Sequence, residues 1–234
     1  GIVDEHQAVR NACGVFDVCH MGEVTVKGPD AEAYVNHIFT NDVRGMEPGK
    51  ILYGMMCYEN GGTVDDLLVY KMGENDFFIV INAANIDKDW AWMTEHAKGY
   101  DIDIQNRSDF YGQLAVQGPD SEKVVEEVLG LKCAELTFYT VKTICLKGDC
   151  SCNDDSCTVI VSRTGYTGED GFEIYGTHEY IRECWDKLIA SGRCKPCGLG
   201  CRDKLRFEVG LPPYGDEISA DISPVRAGLS IFRE

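Results

Sequence analysis

The sequence predicts an α+β fold with largely antiparallel sheets, in which one structural unit occurs twice. Three observations lead to this prediction. A strand, the tripeptide Gly-Pro-Asp and a helix follow one another in both halves of the chain, strand patterns are joined by glycine-rich turns, and each half carries a second amphipathic helix. We place the first half of the duplicated unit at 1–110 and the second half at 111–234.

The repeat is clearest when VTVKGPDAEAYV, which begins at Val24, is compared with LAVQGPDSEKVV, which begins at Leu114. In both copies the aspartate after the proline is suited to cap the following helix, because its side chain can accept a hydrogen bond from the first-turn amides. Both helices then carry one stripe of residues at i, i+3, i+4, i+7 and i+8, starting from Ala31 and from Ser121. This register predicts two equivalent helices that each bury one face.

Hairpins and a second helix complete each half. LYGMMCYE and TVDDLLVY flank Gly61-Gly62, a turn that needs positive φ, and FFIVIN leads through the cap Asn85 into a helix that ends before Gly99. In the second half, CTVIVSRT leads through a glycine-rich loop to GFEIY. The helix that follows places its apolar residues on one face and ends before Gly192.

The balance of charge and hydrophobicity excludes several classes of partner. The 234 residues carry a formal net charge of -17, whereas nucleic acids and anionic membrane surfaces are bound by clustered Lys and Arg. The apolar runs, such as FFIVI at 77–81, are far too short to span a bilayer. We therefore expect a globular protein with no nucleic acid and no membrane among its partners.

Twelve cysteines are present and no secretory signal opens the chain, so we expect reduced thiols in a reducing compartment, the cytoplasm or, in a eukaryote, the mitochondrial matrix. Two clusters stand out: Cys145, Cys150, Cys152 and Cys157, and then Cys194, Cys197 and Cys201. Neither has the paired C-x2-C knuckles of a zinc ribbon. We predict an exposed hairpin for the first cluster, small packing residues for the second, and no bound metal; a metal site is the alternative.

Two neighbouring carboxylates are the first candidates for chemistry. Asp65 and Asp66 lie at the start of a predicted strand, between Val64 and Leu67. Because a strand sends neighbouring side chains to opposite faces, one aspartate should face the interior and the other should point outward. Desolvation would raise the pKa of the inward carboxylate and suit it to proton transfer. An exposed pair that caps a turn is the alternative.

A further carboxylate, Glu173, lies between Phe172 and Ile174 on an alternating strand and projects from the opposite face. If that face lines a cleft, the carboxylate can accept two parallel N–H bonds from a guanidine-like edge; a solvated face is the alternative. Arg202 begins a helix and suits an anion, unless it pairs with Asp203. Since VDDLLVY and GEDGFEIY lie at comparable places in the two halves, a pseudo-twofold axis would bring both carboxylates to one cleft.

His20, in DVCHMG, could be a ligand or a base, but a lone histidine is more often simply hydrogen-bonded in place. The sequence has no G-x-G-x-x-G after a strand, no P-loop, and neither G-x-S-x-G nor H-E-x-x-H. Nucleotide binding through those motifs is therefore unsupported.

Taken together, these segments closely resemble the glycine cleavage T-protein (aminomethyltransferase) family from near Gly1 to near Glu234. The resemblance rests on FDVCHMGEVTVKGPDAEAYV, TNDV, ENGGTVDDLLVYK, VINAANIDKDWAWM, LAVQGPDSE, VSRTGYTGEDGFEIY, GLGCRDKLRFEVGLPPYGDE and SPVRAGL. It implies a duplicated folate-binding domain of two swapped subdomains. It also implies an enzyme that moves the one-carbon unit of aminomethyl-dihydrolipoyl H-protein to tetrahydrofolate and releases ammonia.

The resemblance also implies roles for particular residues. The family's catalytic aspartate is the second one of the VDDL motif, here Asp66, which would orient the folate and handle the proton of the attacking nitrogen. Glu173 matches the pterin-binding glutamate, and Arg202 matches a further folate contact that faces an anion. The remaining folate-binding positions are Met21, Tyr53, Asn82, Tyr166 and Tyr214. Tetrahydrofolate is thus implied as the acceptor substrate, and no metal is implied.

The implied partners are lipoylated H-protein, folate and a separate C-terminal β-barrel domain, since we expect the family's barrel and an N-terminal segment to be absent from this chain. A folate-dependent demethylase, a non-catalytic folate-binding paralogue and a split or truncated subunit without activity of its own are the alternatives. The K-G-C-Y-x-G-Q-E signature of the tRNA-maintenance branch does not occur, which favours transfer. Because folate tails are anionic, we also expect a basic patch of Arg202 with Arg163 and Arg206.

Overall fold

The computed structural model describes residues 1–148 and 154–229. These residues form two compact units, each built from two segments of the chain. Unit 1 consists of the described residues of 1–20 and 110–211, and unit 2 of those of 21–109 and 212–234. The division of the sequence at 1–110 and 111–234 concerns the repeat along the chain and stays a prediction.

Helices and strands are interspersed in both units. The helices are α1 (Ile2–Asn11), α2 (Ala31–Ile38), α3 (Ile86–His96), α4 (Ser121–Leu129), α5 (His178–Ala190) and α6 (Leu199–Glu208). The strands are β1 (Gly14–Asp17), β2 (Gly22–Lys27), β3 (Ile51–Cys57), β4 (Thr63–Gly73), β5 (Asp76–Ile81), β6 (Asp103–Asn106), β7 (Tyr111–Gln117), β8 (Val141–Cys145), β9 (Thr158–Ser162), β10 (Gly171–Thr177) and β11 (Lys195–Cys197). Within the described residues, no helix combines the length and the apolar character needed to cross a membrane.

Unit 1 is organised around a sheet with the strand order β11-β1-β7-β10-β9-β8. Its strand pairs are antiparallel except for β1 and β11, which run parallel. Helices α4 and α5 pack against β7 and β10, on the face that carries the buried side chains of Val116, Phe172 and Ile174. Strand alternation then directs Glu173 to the opposite face of the sheet.

Unit 2 has an antiparallel sheet in the order β3-β4-β5-β2-β6. Helix α2 contributes Tyr34 and helix α3 contributes Met93 to a core that also takes Leu67 and Val69 from β4. The Tyr34 hydroxyl donates to the carbonyl of Met93 at 2.7 Å, which ties the two helices together. Because Leu67 and Val69 face this core, alternation directs Asp66 away from it.

The predicted α+β class with largely antiparallel sheets is confirmed. Helix α2 begins at Ala31 and helix α4 at Ser121, each directly after its Gly-Pro-Asp tripeptide. In the hairpin between β3 and β4, Gly61 has the predicted positive φ, 84°. Gly62 is needed for a different reason, since a Cβ there would lie 1.7 Å from the carbonyl oxygen of Ala220.

The predicted side-chain caps are wrong. Neither Asp30, Asp120 nor Asn85 accepts a hydrogen bond from the first turn of the helix that follows it. Asp30 instead accepts the backbone N–H of Asp101 at 2.7 Å, and Asn85 donates its side-chain amide to Asp65 at 2.8 Å. Tertiary partners compete for the same side-chain atoms, and a one-dimensional pattern does not show which partner prevails.

Candidate functional site

Asp66 is held by two side chains of unit 2. The Tyr53 hydroxyl donates to Oδ2 at 2.9 Å, and the Asn82 amide donates to Oδ1 at 2.8 Å. Strand β3 presents Tyr53 because Met55 pairs with Asp66 across the hairpin, and Tyr53 lies two residues away on the same face. Asn82 directly follows β5. Tyr53 and Asn82, which were both predicted as site residues, therefore both contact Asp66.

The neighbouring carboxylate, Asp65, is completely buried. It accepts the backbone N–H of Asn82 at 3.0 Å, the side-chain amide of Asn82 at 2.9 Å and that of Asn85 at 2.8 Å. Asn82 therefore contacts both carboxylates and fixes their spacing. The two aspartates take opposite faces of β4, as strand alternation predicts.

The carboxyl of Asp66 can exchange a proton near neutral pH. Burial, together with the adjacent charge of Asp65, raises the pKa of Asp66 to about 7, while the hydrogen bonds from Tyr53 and Asn82 act in the opposite direction. The sequence argument assigned a raised pKa to the inward carboxylate, whereas Asp66 faces away from the helices. As a whole residue, Asp66 is partly exposed.

The other predicted residues of unit 2 are Tyr214, which contacts the start of β4, and Met21, which precedes β2. The Tyr214 hydroxyl donates to the carbonyl of Thr63 at 3.2 Å, and its ring centroid lies 4.8 Å from Lys88 Nζ. Met21 directly precedes β2, and the first residue of β2 pairs with the last residue of β5. Continuing this register by one residue places Met21 beside Asn82. Lys88 was not predicted; its position in the first turn of α3 was the signal available in the sequence.

Glu173 is buried in unit 1, and each of its oxygens has one donor. The Gln113 side-chain amide donates to Oε1 at 3.0 Å, and the Thr164 hydroxyl donates to Oε2 at 2.6 Å. The Ser162 hydroxyl lies 2.6 Å from that of Thr164 and extends the chain of hydroxyls. A carboxylate offers about four lone-pair positions, so roughly two remain for N–H groups of a ligand.

Gln113 belongs to the same group and was not predicted. Its Nε2 also lies 3.1 Å from the Tyr175 hydroxyl, and its Oε1 is buried without a hydrogen-bond partner in the described part of the chain. Gln113 pairs with Tyr175 across β7 and β10, and Ala115 pairs with Glu173. Strand alternation predicts which face of the sheet Glu173 occupies. With the register of β7 and β10 it would also have predicted that Gln113 lies on that face.

Arg202 is a partly buried cation that lies over an aromatic ring. Its guanidinium stacks over the Tyr166 ring at 4.8 Å, and within residues 1–148 and 154–229 that group has neither a hydrogen bond nor an ion pair. Burial lowers the pKa of Arg202, and the charge of Glu173 acts in the opposite direction. Burial and the charge of Arg202 also lower the pKa of His20. A buried guanidinium of this kind is suited to an anionic ligand.

The expected basic patch of three arginines is wrong. Arg163 forms ion pairs with Asp170 at 2.6 Å and with Glu122 at 3.0 Å. Arg206 pairs with Asp203 at 2.8 Å, so the structural Arg–Asp pair considered for this helix exists with a different arginine. Arg202 therefore stands apart from both of these neutralised side chains.

The second cysteine cluster lies against α1. The sulfur atoms of Cys197 and Cys201 and a carboxylate oxygen of Glu5 lie within 4.8 Å of one another, a set that could hold a metal ion. Burial, with Cys201 and Glu5 nearby, raises the pKa of the Cys197 thiol to about 12, so it is protonated at neutral pH. The absence of a bound metal stays a prediction. Cys150 and Cys152 of the first cluster lie outside the described residues.

Comparison with known sequences gives one family and many relatives. The model of the GCVT N-terminal domain matches residues 1–234. The aminomethyltransferase of Alkaliphilus oremlandii is 51% identical over 235 residues, which are 99% of this chain and 62% of that protein. The aminomethyltransferase of Thermoanaerobacter sp. is 47% identical, with the same shares of 99% and 62%. The chain thus spans 62% of the length of these curated relatives.

Comparison with solved structures gives a relative of the same kind. The glycine cleavage system aminomethyltransferase T from Bartonella henselae aligns with a TM-score of 0.90 at 31% identity, over 99% of this chain and 60% of that one. A chain of the heterotetrameric sarcosine oxidase from Corynebacterium sp. U-96 aligns with a TM-score of 0.54 at 13% identity, over 88% of this chain. The second likeness shows the fold alone.

Proposed function

The chain belongs to the GCVT N-terminal domain family, as its motifs predicted, and on that premise we propose that it performs aminomethyl transfer to tetrahydrofolate. The donor is the aminomethyl group on the dihydrolipoyl arm of the H-protein. Two folate nitrogens form bonds to the transferred carbon, while its bonds to sulfur and to the amino nitrogen break. The two folate N–H protons end on the thiol and on ammonia, so atoms and electrons balance.

The observation that carries this proposal is the carboxyl of Asp66. It has a pKa of about 7 and is oriented by the Tyr53 hydroxyl and the Asn82 amide. A group with this pKa can accept a proton from an attacking nitrogen and release it again at neutral pH. We assign Asp66 the tasks of orienting the folate and handling that proton. Its two donors keep the carboxyl in one orientation while it does so.

Glu173 and Arg202 supply binding groups of opposite charge in this proposal. The free lone pairs of Glu173 suit the amino and ring N–H groups of a pterin, which form a guanidine-like edge. Arg202 suits a carboxylate of the folate tail, because its guanidinium stacks over a ring and forms no ion pair among the described residues. Tyr166 orients that guanidinium and offers an aromatic face.

Met21 and Tyr214 complete the proposed folate-binding set. Met21 adjoins Asn82 in the strand register, and Tyr214 is bonded to the strand that carries Asp66. A flat bicyclic pterin suits contacts with sulfur and with aromatic rings of this kind. That Asp66 and Glu173 face one common cleft stays a prediction from the sequence repeat.

Ammonia release from aminomethylated H-protein in the presence of tetrahydrofolate tests the proposal. Because the chain spans 62% of the Alkaliphilus oremlandii enzyme, the assay is run on the chain alone and with the C-terminal part of that relative added in trans. The matched control for Asp66→Asn is Asp103→Asn, an exposed aspartate on β6 of the same sheet. We expect release by wild type and by Asp103→Asn, and loss of release in Asp66→Asn.

The outcomes separate the alternatives. Release only when the C-terminal part is added identifies a subunit that needs a second polypeptide. Tetrahydrofolate binding without release under either condition contradicts the transferase and leaves a folate-binding paralogue. Methyl transfer from a methylated amine to tetrahydrofolate, without ammonia release from the H-protein, identifies a demethylase instead.

A further inference from the structure

Asp89, on α3, is a buried carboxyl that the proposed reaction does not use. It has no exposed surface, and neither of its oxygens has a hydrogen-bond partner that donates an N–H or O–H of the described residues. Lys88 Nζ forms an ion pair with Oδ1 at 3.1 Å, and it also donates a hydrogen bond to the carbonyl of Val64. An ionised carboxylate without aligned donors is costly to bury, so its state requires an explanation.

Asp65 supplies that explanation, because its carboxyl lies within hydrogen-bonding reach of Asp89. The two carboxyls differ in their donors. Asp65 accepts three N–H groups, two from Asn82 and one from Asn85, whereas the oxygens of Asp89 accept none. Two adjacent buried carboxyls cannot both be ionised, and N–H donors favour the ionised form. The negative charge therefore belongs on Asp65 and the proton on Asp89.

We propose that Asp89 is a positioning residue, a protonated carboxylic acid whose O–H donates to Asp65 and holds that carboxylate as a fixed negative charge beside Asp66. The inference rests on the proposed function of Asp66. Asp89 itself touches no reacting atom in this scheme. Its effect passes through Asp65, which lies one residue before Asp66 and shares the Asn82 amide with it.

The charged and titratable groups around Asp89 agree with this assignment. Burial, followed by the contact with Asp65, raises the pKa of Asp89 to about 9, and Lys88 on the same helix acts in the opposite direction. The charges of Tyr58 and Tyr214 act on Lys88 and raise its pKa. Burial, and then the charge of Asp65, raise the pKa of Asp66 to about 7.

The competing interpretation is an ion pair, in which Asp89 is ionised and neutralised by Lys88. The two interpretations make opposite predictions for Asp89→Asn. An amide keeps an N–H donor toward Asp65, so a protonated acid is replaced with little loss. If Asp89 is instead ionised, Asp89→Asn removes its negative charge and leaves the half-buried ammonium of Lys88 without a counterion.

Carboxyl-carbon NMR of the ligand-free chain, with aspartates labelled selectively, provides the first test. The resonance that disappears in Asp89→Asn is that of Asp89, and we expect it to titrate above neutral pH, near its pKa of about 9. We expect the Asp66 resonance to titrate at the same pH in Asp89→Asn as in wild type. An Asp89 resonance already ionised at pH 6 overturns the proposal.

Two further variants make the test decisive. Asp89→Leu removes the donor at similar volume, and we expect the titration of Asp66 to move by roughly one pH unit toward acid, because the donor that fixes the negative charge beside Asp66 is then missing. Lys88→Met removes the cation, and we expect Asp89 to stay protonated at neutral pH. An Asp66 titration that moves equally in Asp89→Asn and Asp89→Leu overturns the proposal. Since these readings need no substrate, they stay interpretable if ammonia release fails.

Discussion

Asp66 of unit 2 and Glu173 of unit 1 are both strand carboxylates, but they do not lie on equivalent strands of the repeat. Strand β10, which carries Glu173, pairs with β7, the strand before the second Gly-Pro-Asp, whereas β5 separates β4 and its Asp66 from β2, the strand before the first. The comparable placement expected from the sequence is therefore wrong, and their surroundings differ as well. Each is a strand carboxylate with two side-chain donors. Burial, and then the charge of the neighbouring carboxylate Asp65, raise the pKa of Asp66 to about 7. The charge near Glu173 is instead the cation of Arg202.

This contrast shows how a duplicated fold can host two different tasks. The two units place a carboxylate on different strands, and burial and the neighbouring charges determine what each carboxylate can do. A carboxylate beside another carboxylate holds its proton up to neutral pH and suits proton transfer. A carboxylate beside a guanidinium suits fixed recognition of N–H groups. The predictions below test this division, from the largest expected effect to the smallest.

Asp66→Asn tests the proton-handling side of the comparison. The amide preserves shape and polar contacts but cannot accept a proton, so we expect turnover to fall by about a hundredfold to ten-thousandfold. Ammonia release from aminomethylated H-protein measures the effect. A loss of less than about tenfold, with Asp103→Asn unchanged, contradicts the assignment of Asp66 as the proton-handling group.

Glu173→Ala tests the recognition side. Removing the acceptor leaves ligand N–H groups and the Gln113 amide unsatisfied, so we expect tetrahydrofolate binding to weaken by about 1–3 kcal/mol. An analogue without the pterin 2-amino group provides the control. We expect the wild-type chain to bind this analogue more weakly than tetrahydrofolate, and Glu173→Ala to bind the two ligands with similar affinity. Equal discrimination between the two ligands by both proteins would show that Glu173 does not contact the pterin edge.

Glu23 extends the comparison to a carboxyl with no aligned donors. It is completely buried, neither oxygen has a hydrogen-bond partner within the described residues, and burial raises its pKa to about 9 from an ordinary value of 4.5. A folded-state pKa above the unfolded one gives stability that is fully present below pH 4.5 and is lost as pH rises toward 9. Glu23→Gln should flatten this dependence.

Chemical unfolding at pH 5 and at pH 8 measures the change. We expect Glu23→Gln to raise the free energy of unfolding at pH 8 by about 1–2 kcal/mol relative to wild type, with a smaller difference at pH 5. An equal difference at both pH values would mean that Glu23 is ionised in the folded protein. The exposed Asp103→Asn serves as the reference for a charge change without burial.

Tyr53→Phe gives the smallest effect. Its hydroxyl donates to the charged form of Asp66 and thereby lowers the pKa of that carboxyl. Without the donor we expect the pKa of Asp66, and the acidic limb of the turnover profile, to move upward by about 0.5–1 pH unit. A shift toward acid would mean that Tyr53 stabilises the protonated form.

The sequence predicted the parts of this molecule that depend on periodicity. Alternation along the strands placed Glu173 opposite Phe172, and the Gly-Pro-Asp repeat placed the starts of α2 and α4. The VDDL motif, read through its family resemblance, led to Asp66, which the structure shows bonded to Tyr53 and Asn82. Local pattern is sufficient for such features because each follows from neighbours along the chain.

Features that depend on tertiary contacts were missed. Asp30 and Asn85 had the residue types of helix caps, but strand-end and loop partners take their side chains instead. Asp89 looks like a surface charge on an amphipathic helix, yet it is completely buried in the folded chain. The alignment of Gln113 with Glu173 required the register of β7 and β10. None of these contacts leaves a periodic signal.

One fluorescence titration with tetrahydrofolate at neutral pH, on wild type, Asp66→Asn and Glu173→Ala, tests most directly whether the two carboxylates divide recognition from proton transfer. The account predicts an affinity for Asp66→Asn within about twofold of wild type, and an affinity for Glu173→Ala weaker by about tenfold or more. Equal affinities in all three proteins, or a greater loss in Asp66→Asn than in Glu173→Ala, would contradict it.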